Sequence, residues 1–471
     1  MRTVLALVLL AFVTACYHPL EIVGQGNIVS SDGLHDCSVA EQPCNNLITG
    51  DYNVTYTAVP HAGWTFTGWE GCGAQYPDCT YILPAASVAQ FAGQTTLPLR
   101  AVFEPNVVQP NILLILADDL SHDHYGFAGH LQLQTPSIDA LAAQSVRFPA
   151  TYVSSTCRPT FATLLTGLPE HSHGVTYISG PRLGNFPTVT DRLLNAGYSS
   201  YQAGKFWEGN PSLRGFTDFH SFDSIFGLGS VELGRTVPLQ PIFDFMAETT
   251  SPWFIWFSPF MPHAPHDAPS EYRALYEGLG LNAATIEYFA MISWFDAVVG
   301  ELLQGVDEDT VVIFMADNGY VQSAISEVPE PNSKISSYEH GIRTQLLIRH
   351  PSNAASQRME LANAVDVTTT ILSIAGAYHD DFPGRALLGP PPSESSAYGS
   401  RSPLLFIEPS GTLLERWIRV GDWKLVDVEV GDDRLHNLVL DPDETINEVD
   451  TPEHSQLLLD LQNELESWWL E

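Results

Sequence analysis

The sequence predicts an α/β protein: a doubly wound, mostly parallel sheet with a small all-β module before it and a small antiparallel subdomain after it. Three observations carry this expectation. Continuous apolar runs recur in the middle of the chain and end abruptly in polar residues. Stretches of helical length lie between those runs, and alternation of this kind makes a sheet covered by helices on both faces. Short segments rich in β-branched and aromatic residues, punctuated by Gly and Pro, fill residues 17–105.

The order along the chain begins with a targeting pattern. Arg2 precedes an apolar run from Val4 to Val13, too short to span a bilayer. The run ends in Val13-Thr14-Ala15-Cys16, small residues before a Cys, which resembles a bacterial lipobox. The expectation is a signal peptide over 1–16 and a lipid on Cys16. The protein would then be exported and held to a bacterial membrane through that anchor alone, facing the periplasm or cell surface. Export implies an oxidising compartment. Of the six cysteines, Cys37, Cys44, Cys72 and Cys79 form two short-range candidate pairs, Cys37 with Cys44 and Cys72 with Cys79, and other connectivities stay open. Cys157 stands far from the rest.

Residues 17–105 read as the β module, with strands over Tyr52–Val59 and Trp64–Trp69 and a closing strand from Leu97 to Phe103. The stretch from Gly63 to Cys72, with the final Ala101-Val102-Phe103, resembles a divergent InlB-type bacterial repeat. Such modules act mostly as spacers on exported proteins. Trp64 and Trp69 are expected in its core.

Residues 106–385 carry the α/β pattern. Asn111–Ala117 and Val311–Ala316 are buried-strand runs, and Trp253–Phe257 is a third. Helices are expected over Thr135–Gln144, Pro187–Ala196 and Ala283–Leu303. The three runs end in Asp118-Asp119, in Asp317-Asn318-Gly319 and near Pro262-His263. Ligands in open α/β sheets sit beyond the carboxyl ends of the strands, so these ends should converge. Three carboxylates and one amide, from Asp118, Asp119, Asp317 and Asn318, are hard oxygen donors. They suit Ca²⁺, or Mg²⁺, rather than Zn²⁺. Residues 386–471 are expected to form the antiparallel subdomain and a terminal helix over Ser455–Leu470, with Gly389-Pro390-Pro391-Pro392 as the boundary loop.

Charge narrows the function. With 20 Lys and Arg against 55 Asp and Glu, the formal net charge is −35. A nucleic-acid partner is excluded, because phosphate backbones need clustered cations. The lysines are Lys205, Lys334 and Lys424 alone. In so acidic a chain, each buried or clustered cation needs a reason.

The segment from about Asn111 to about Asn447 resembles a sulfatase of the alkaline phosphatase superfamily. The motifs are Cys157-Arg158-Pro159-Thr160, Leu164-Leu165-Thr166-Gly167, Gly204-Lys205, Pro262-His263-Ala264-Pro265-His266, Asp317-Asn318-Gly319, and Lys334 with Tyr338-Glu339-His340-Gly341-Ile342-Arg343. Gly421-Asp422-Trp423-Lys424-Leu425 and Leu435-His436-Asn437-Leu438 follow in family order. The resemblance implies that Cys157 becomes formylglycine, whose hydrate attacks sulfur. It implies a metal held by Asp118, Asp119, Asp317 and Asn318. Lys205, His263 and Lys334 would contact a sulfate ester of a small molecule or glycan, with His263 protonating the leaving oxygen. Arg158, His266 and Arg343 are further candidates for substrate contact. Two positions depart from the family pattern. Phe161 stands where the family has Arg, and Trp207 where it usually has His; Phe has no donor, and Trp carries no mobile proton. The same residues admit two other readings: a lipoprotein that binds sulfated glycans without hydrolysing them, and a phosphoester or phosphonate hydrolase.

Overall fold

The computed structural model describes residues 15–42, 44–62, 64–72, 78–105, 109–220, 239–378, 382–393, 395–401 and 413–470. The expected signal run (Arg2, Val4 to Val13) and Gly63 lie outside the described residues. The chain divides into two compact units, residues 1–108 and 109–471.

The first unit is all-β apart from short helical turns, as expected. One four-stranded sheet runs Cys44–Ile48, Cys16–Val23, Leu99–Pro105, Trp64–Glu70. The other runs Cys37–Ser38, Gly26–Ser30, Tyr52–Pro60, Asp78–Leu83. Their alternating inward residues, among them Leu20, Ile28, Tyr56, Phe66 and Phe103, form one core, and Trp64 and Trp69 pack against it. Disulfides join Cys37 to Cys44 and Cys72 to Cys79. Cys16 opens the first strand opposite Ile48, with its side chain fully buried. A lipid on that sulfur would require Cys16 to leave this pairing.

The second unit is built on a nine-stranded sheet among the described residues. From one edge its parallel strands run Asp218–His220, Ser199–Gly204, Trp253–Ser258, Ile112–Ala117, Val311–Ala316. Ile112–Ala117, Trp253–Ser258 and Val311–Ala316 are buried at every residue, which is why they read as unbroken apolar runs rather than alternating ones. Leu113 and Ile115 face a core shared with the helices Pro136–Ala142 and Ala283–Gln304. Ile112 and Leu114 face a second core shared with Cys157–Thr166, Val189–Asn195 and Ala364–Ile374. The sheet continues antiparallel through Arg343–Arg349 and Val146–Tyr152.

The same unit contains a four-stranded antiparallel sheet, Ser396–Arg401, Glu415–Val420, Trp423–Val428 and Arg434–Asn437. The helix Ser455–Leu470 buries Leu461 and Leu465 against Ile418, Leu425 and Leu435 of that sheet.

Candidate active site

Four adjacent parallel strands deliver polar residues from their carboxyl ends to one place. Ile112–Ala117 leads into Asp118 and Asp119, and Val311–Ala316 into Asp317 and Asn318. Ser199–Gly204 leads into Lys205, and Trp253–Ser258 into the loop of His263. Two glycines make this convergence possible. Gly204 has φ of 101°, and a Cβ there would meet the Ser258 carbonyl at 2.3 Å. A Cβ on Gly319 would meet the His340 carbonyl at 2.2 Å. Asp119 itself takes a positive φ of 69°, and so does Ile335, at 71°, beside Lys334. A β-branched residue in that region is strained, and strain of this kind is kept only where the surroundings impose it.

The carboxylates are buried and close-set. The Asp119 amide donates to Asp317 Oδ1 at 3.2 Å, and Asn318 Nδ2 donates to Asp119 Oδ1 at 2.7 Å. Lys205 Nζ donates to Asp118 Oδ2 at 2.6 Å. Lys334 Nζ lies 2.5 Å from Asp119 Oδ1, and His263 Nε2 lies 3.5 Å from Asp119 Oδ2. Asp118 Oδ1, Asp317 Oδ2 and Asn318 Oδ1 are buried with no hydrogen-bond partner. Orphaned oxygens of this number are costly unless something positive occupies the space between them. Burial would raise Asp118, but Lys205, His263 and Lys334 outweigh it and hold the carboxyl down to about 2. Asp317 is instead pushed well up by burial and by the charge of Asp118. Two neighbouring carboxylates driven apart in this way are what a divalent cation resolves. The donor set, oxygen throughout, fits Ca²⁺ or Mg²⁺.

Cys157 begins the helix Cys157–Thr166, of which every residue is buried. Ligand atoms of Cys157, Asp118 and Asp317 lie within 4.8 Å of one another. Thr160 ties this helix to the metal-side strand, donating from Oγ1 to the Asp317 carbonyl at 2.7 Å. Burial pushes the Cys157 thiol up to about 11, against the pull of Lys205 and Lys334. An unconverted Cys157 is therefore a protonated thiol at neutral pH, not a nucleophilic thiolate. Lys205 and Lys334 are held charged, because the attraction of Asp118 and Asp119 respectively exceeds the penalty of burial. His263 is pulled below its ordinary value by burial, and its Nδ1 is bound to the Ala264 carbonyl at 2.7 Å.

The two departures from the family pattern both surround one lysine. Lys205 Nζ stands 5.9 Å from the Phe161 ring and 5.2 Å from the rings of Trp207 and Phe260. Phe161 is buried against Trp256.

The structure thus brings together Asp118, Asp119, Asp317, Asn318, Cys157, Lys205, His263 and Lys334. Arg158 requires a correction. Its side chain is buried, Nε and Nη2 donate to Glu208, and the remaining donors go to the carbonyls of Ile178, Gly180 and Pro181. All five N–H groups are used inside the protein, so none is left for a substrate. Arg343 is engaged with the Pro149 carbonyl at 2.8 Å and with Glu339 at 3.4 Å. His266 is buried against Tyr288, with centroids 5.3 Å apart. The sequence did not single out Phe260 or Tyr288. The Tyr288 hydroxyl donates to the Asp119 carbonyl at 2.9 Å from a helix distant in sequence. Phe260 had one signal, an aromatic residue just before Pro262-His263.

This fold and site define an α/β protein with an oxygen-rich candidate metal centre flanked by buried lysines and a cysteine. Residues 110–377, more than half of the chain, match the Sulfatase family profile. The chain belongs to the sulfatase family. It is 26% identical over 324 residues to arylsulfatase J of Mus musculus, covering 58% of this chain and 54% of that protein. It is 24% identical over 441 residues to choline-sulfatase of Rhizobium meliloti (strain 1021), covering 73% of this chain and 83% of that one. Among solved structures, Ps i-CgsB in complex with k-i-k-neocarrahexaose superposes with a TM-score of 0.65 at 23% identity. That match covers 77% of this chain and 93% of that one.

Proposed function

We propose that this protein hydrolyses sulfate esters, of a sulfated glycan or an aryl alcohol, at the site formed around Cys157. The observation that carries this reading is the cluster of orphaned oxygens on Asp118, Asp317 and Asn318, facing Cys157 and two charged lysines. Asp118, Asp119, Asp317 and Asn318 would hold Ca²⁺, or Mg²⁺, which supplies Lewis-acid polarisation of the ester oxygens. Formylglycine at position 157 would supply, as its hydrate, one hydroxyl as the nucleophile for sulfur and a second whose deprotonation would re-form the aldehyde as the carbon–oxygen bond to sulfate breaks.

The chain's own residues do the rest. A divalent cation would draw Asp317 into its ionised form, and three carboxylates, two lysines and that cation leave the pocket net positive, as an anionic ester requires. Lys205 and Lys334 keep their protons and hold charge on the sulfate oxygens. His263 has Nδ1 fixed by Ala264, so Nε2 is the atom that protonates the leaving alcohol. That donation needs the imidazolium, which burial disfavours and Asp119, 3.5 Å from Nε2, favours. The glycan choice draws support from the neighbour solved with k-i-k-neocarrahexaose. The two disulfides support our placing the protein in an oxidising compartment, as an exported and lipid-anchored chain.

The test joins mass spectrometry of the Cys157 peptide to assays with an aryl sulfate and an aryl phosphate, each with EDTA or Ca²⁺. The expected result is an aldehyde mass, Ca²⁺-dependent sulfate release, and loss of both in Cys157→Ala. Preference for the phosphate ester overturns the substrate class. A second reading, a sulfate-ester binder without turnover, is favoured by the protonated thiol and by Phe161. It wins if the thiol is intact in a host with the maturing enzyme and sulfated glycan binds without hydrolysis.

A further inference from the structure

A second cluster of ligating side chains lies outside the residues just assigned. His122, Asp123 and His340 each offer one ligand atom, and these three atoms lie within 4.8 Å of one another. His122 Nδ1 and Asp123 Oδ1 are buried from solvent and have no hydrogen-bond partner. The two imidazole rings stand 5.2 Å apart, tilted by 35°. Ser121 Oγ is 3.4 Å from His340 Nδ1, which leaves Nε2 of that ring for a ligand.

The chain at His122 and the loop of His340 are each held by a hydrogen bond to a backbone carbonyl. Gln345 Nε2 donates to the His122 carbonyl at 2.7 Å. The loop of His340 is held by the Gly319 amide, which donates to the Gly341 carbonyl at 2.9 Å. Arg343, the cation that acts most strongly on His122, has its charge engaged by Glu339. All three residues are half-buried, so the cluster is reachable from solvent.

We propose that His122, Asp123 and His340 form a second divalent-cation site, of the Zn²⁺ class, separate from the oxygen-rich centre. The donor chemistry selects the metal. Two imidazole nitrogens and one carboxylate oxygen suit Zn²⁺, and they are a poor set for Ca²⁺, which takes six to eight oxygens. Three protein ligands leave one tetrahedral position for water or another small donor. The orphaned Nδ1 and Oδ1 explain themselves under this reading: each gains the partner it lacks. The cluster does not depend on the state of Cys157 or on turnover.

The experiment uses the full chain, stripped with chelator and returned to millimolar Ca²⁺. Zn²⁺ is added and bound metal is counted by elemental mass spectrometry after gel filtration. Binding is also followed with Co²⁺, whose visible absorption reports nitrogen ligation and low coordination. The expected result is one Zn²⁺ per chain that Ca²⁺ does not displace, and a Co²⁺ band between about 500 and 700 nm. His340→Gly and Asp123→Asn should weaken Zn²⁺ at least about tenfold. Asp317→Asn and Cys157→Ala should leave it unchanged, which separates this site from the ester site. Retention of Zn²⁺ by folded His340→Gly at parental affinity overturns the proposal. So does a parent protein that takes up no Zn²⁺ and gives no Co²⁺ band, a result that needs no variant to fold.

Discussion

Replacing Lys205 by Met tests the electrostatic design of the centre. Lys205 is 1% exposed and donates to Asp118 Oδ2 at 2.6 Å. Met keeps the bulk among Phe161, Trp207 and Phe260 and removes the charge. Breaking a buried ion pair from one side costs about 3–5 kcal/mol, because the remaining charge stays desolvated. For a unit spanning residues 109–471 that is a fall of roughly 4–7 °C in melting temperature. The fall should be full in EDTA and smaller in Ca²⁺. A cation at 100 times its Kd stabilises the folded chain by about 2.7 kcal/mol. In Lys205→Met, Asp118 offers the ion its whole charge, so the gain from Ca²⁺ should be larger than in the parent. The assay is calorimetric melting of both proteins in EDTA and in millimolar Ca²⁺. Equal losses in the two buffers would refute the idea that lysine and cation share Asp118. No loss in either would refute the buried pair itself. Sulfate-ester turnover in Ca²⁺ should drop by roughly 10²–10³.

Three other outcomes follow from the structure. Trp207→His restores a proton carrier beside Lys205, and kcat/KM for an aryl sulfate should rise by about tenfold or more; unchanged kinetics would show that Trp207 is not a deficit. Lys424 is fully buried between Glu339 at 3.2 Å and Glu444 at 2.8 Å, so Lys424→Met should cost about 3–5 kcal/mol in urea denaturation. Burial would raise Glu339, but Lys424, Arg343 and Arg419 hold it down to about 2. Its contribution is present above its ordinary value of 4.5 and is lost as pH falls towards 2. In the variant the folded value lies closer to 4.5, so the loss on acidification should be smaller and end at higher pH. Glu170 behaves in the opposite sense: burial pushes it up to about 7, against hydrogen bonds from Ser154 and Ser400. The folded chain then keeps a proton that the unfolded chain releases between about 4.5 and 7. Stability should therefore decline by about 3 kcal/mol as pH rises through that window, and Glu170→Gln should flatten the profile.

The legible parts of this protein are those where local pattern and burial agree. Val311–Ala316 and Ser455–Leu470 were readable to the residue, because an unbroken apolar run and an amphipathic terminal helix each follow from burial along one chain segment. The ends of the parallel strands marked Asp118, Asp119, Asp317 and Asn318 for the same reason. Pairings across long separations were not legible. Arg158 next to Cys157 reads as a substrate contact until Glu208, fifty residues on, is seen to take its charge. Arg343 likewise gives its charge to Glu339. The antiparallel strands Arg343–Arg349 and Val146–Tyr152 carry no local sign of sheet direction. The meeting of His122, Asp123 and His340 depends on a loop brought in from more than two hundred residues away, and no spacing in the sequence announces it.

The antiparallel sheet near the end of the chain is bound by charge to the turn that follows Lys334. Lys424 and Arg419 reach Glu339, whose amide donates to Glu444 at 2.7 Å, and Trp417 rests on Tyr152. Glu339 starts the turn that also carries His340 and closes the segment of Lys334. A polypeptide ending before residue 386 would keep only Arg343 of the three cations on Glu339, losing Arg419 and Lys424, and would leave a tryptophan-sized gap over Tyr152. Such a fragment should be insoluble or inert when made alone. Supplying residues 386–471 in trans should restore it, so split-protein complementation would show that the tail belongs to the scaffold of the candidate site.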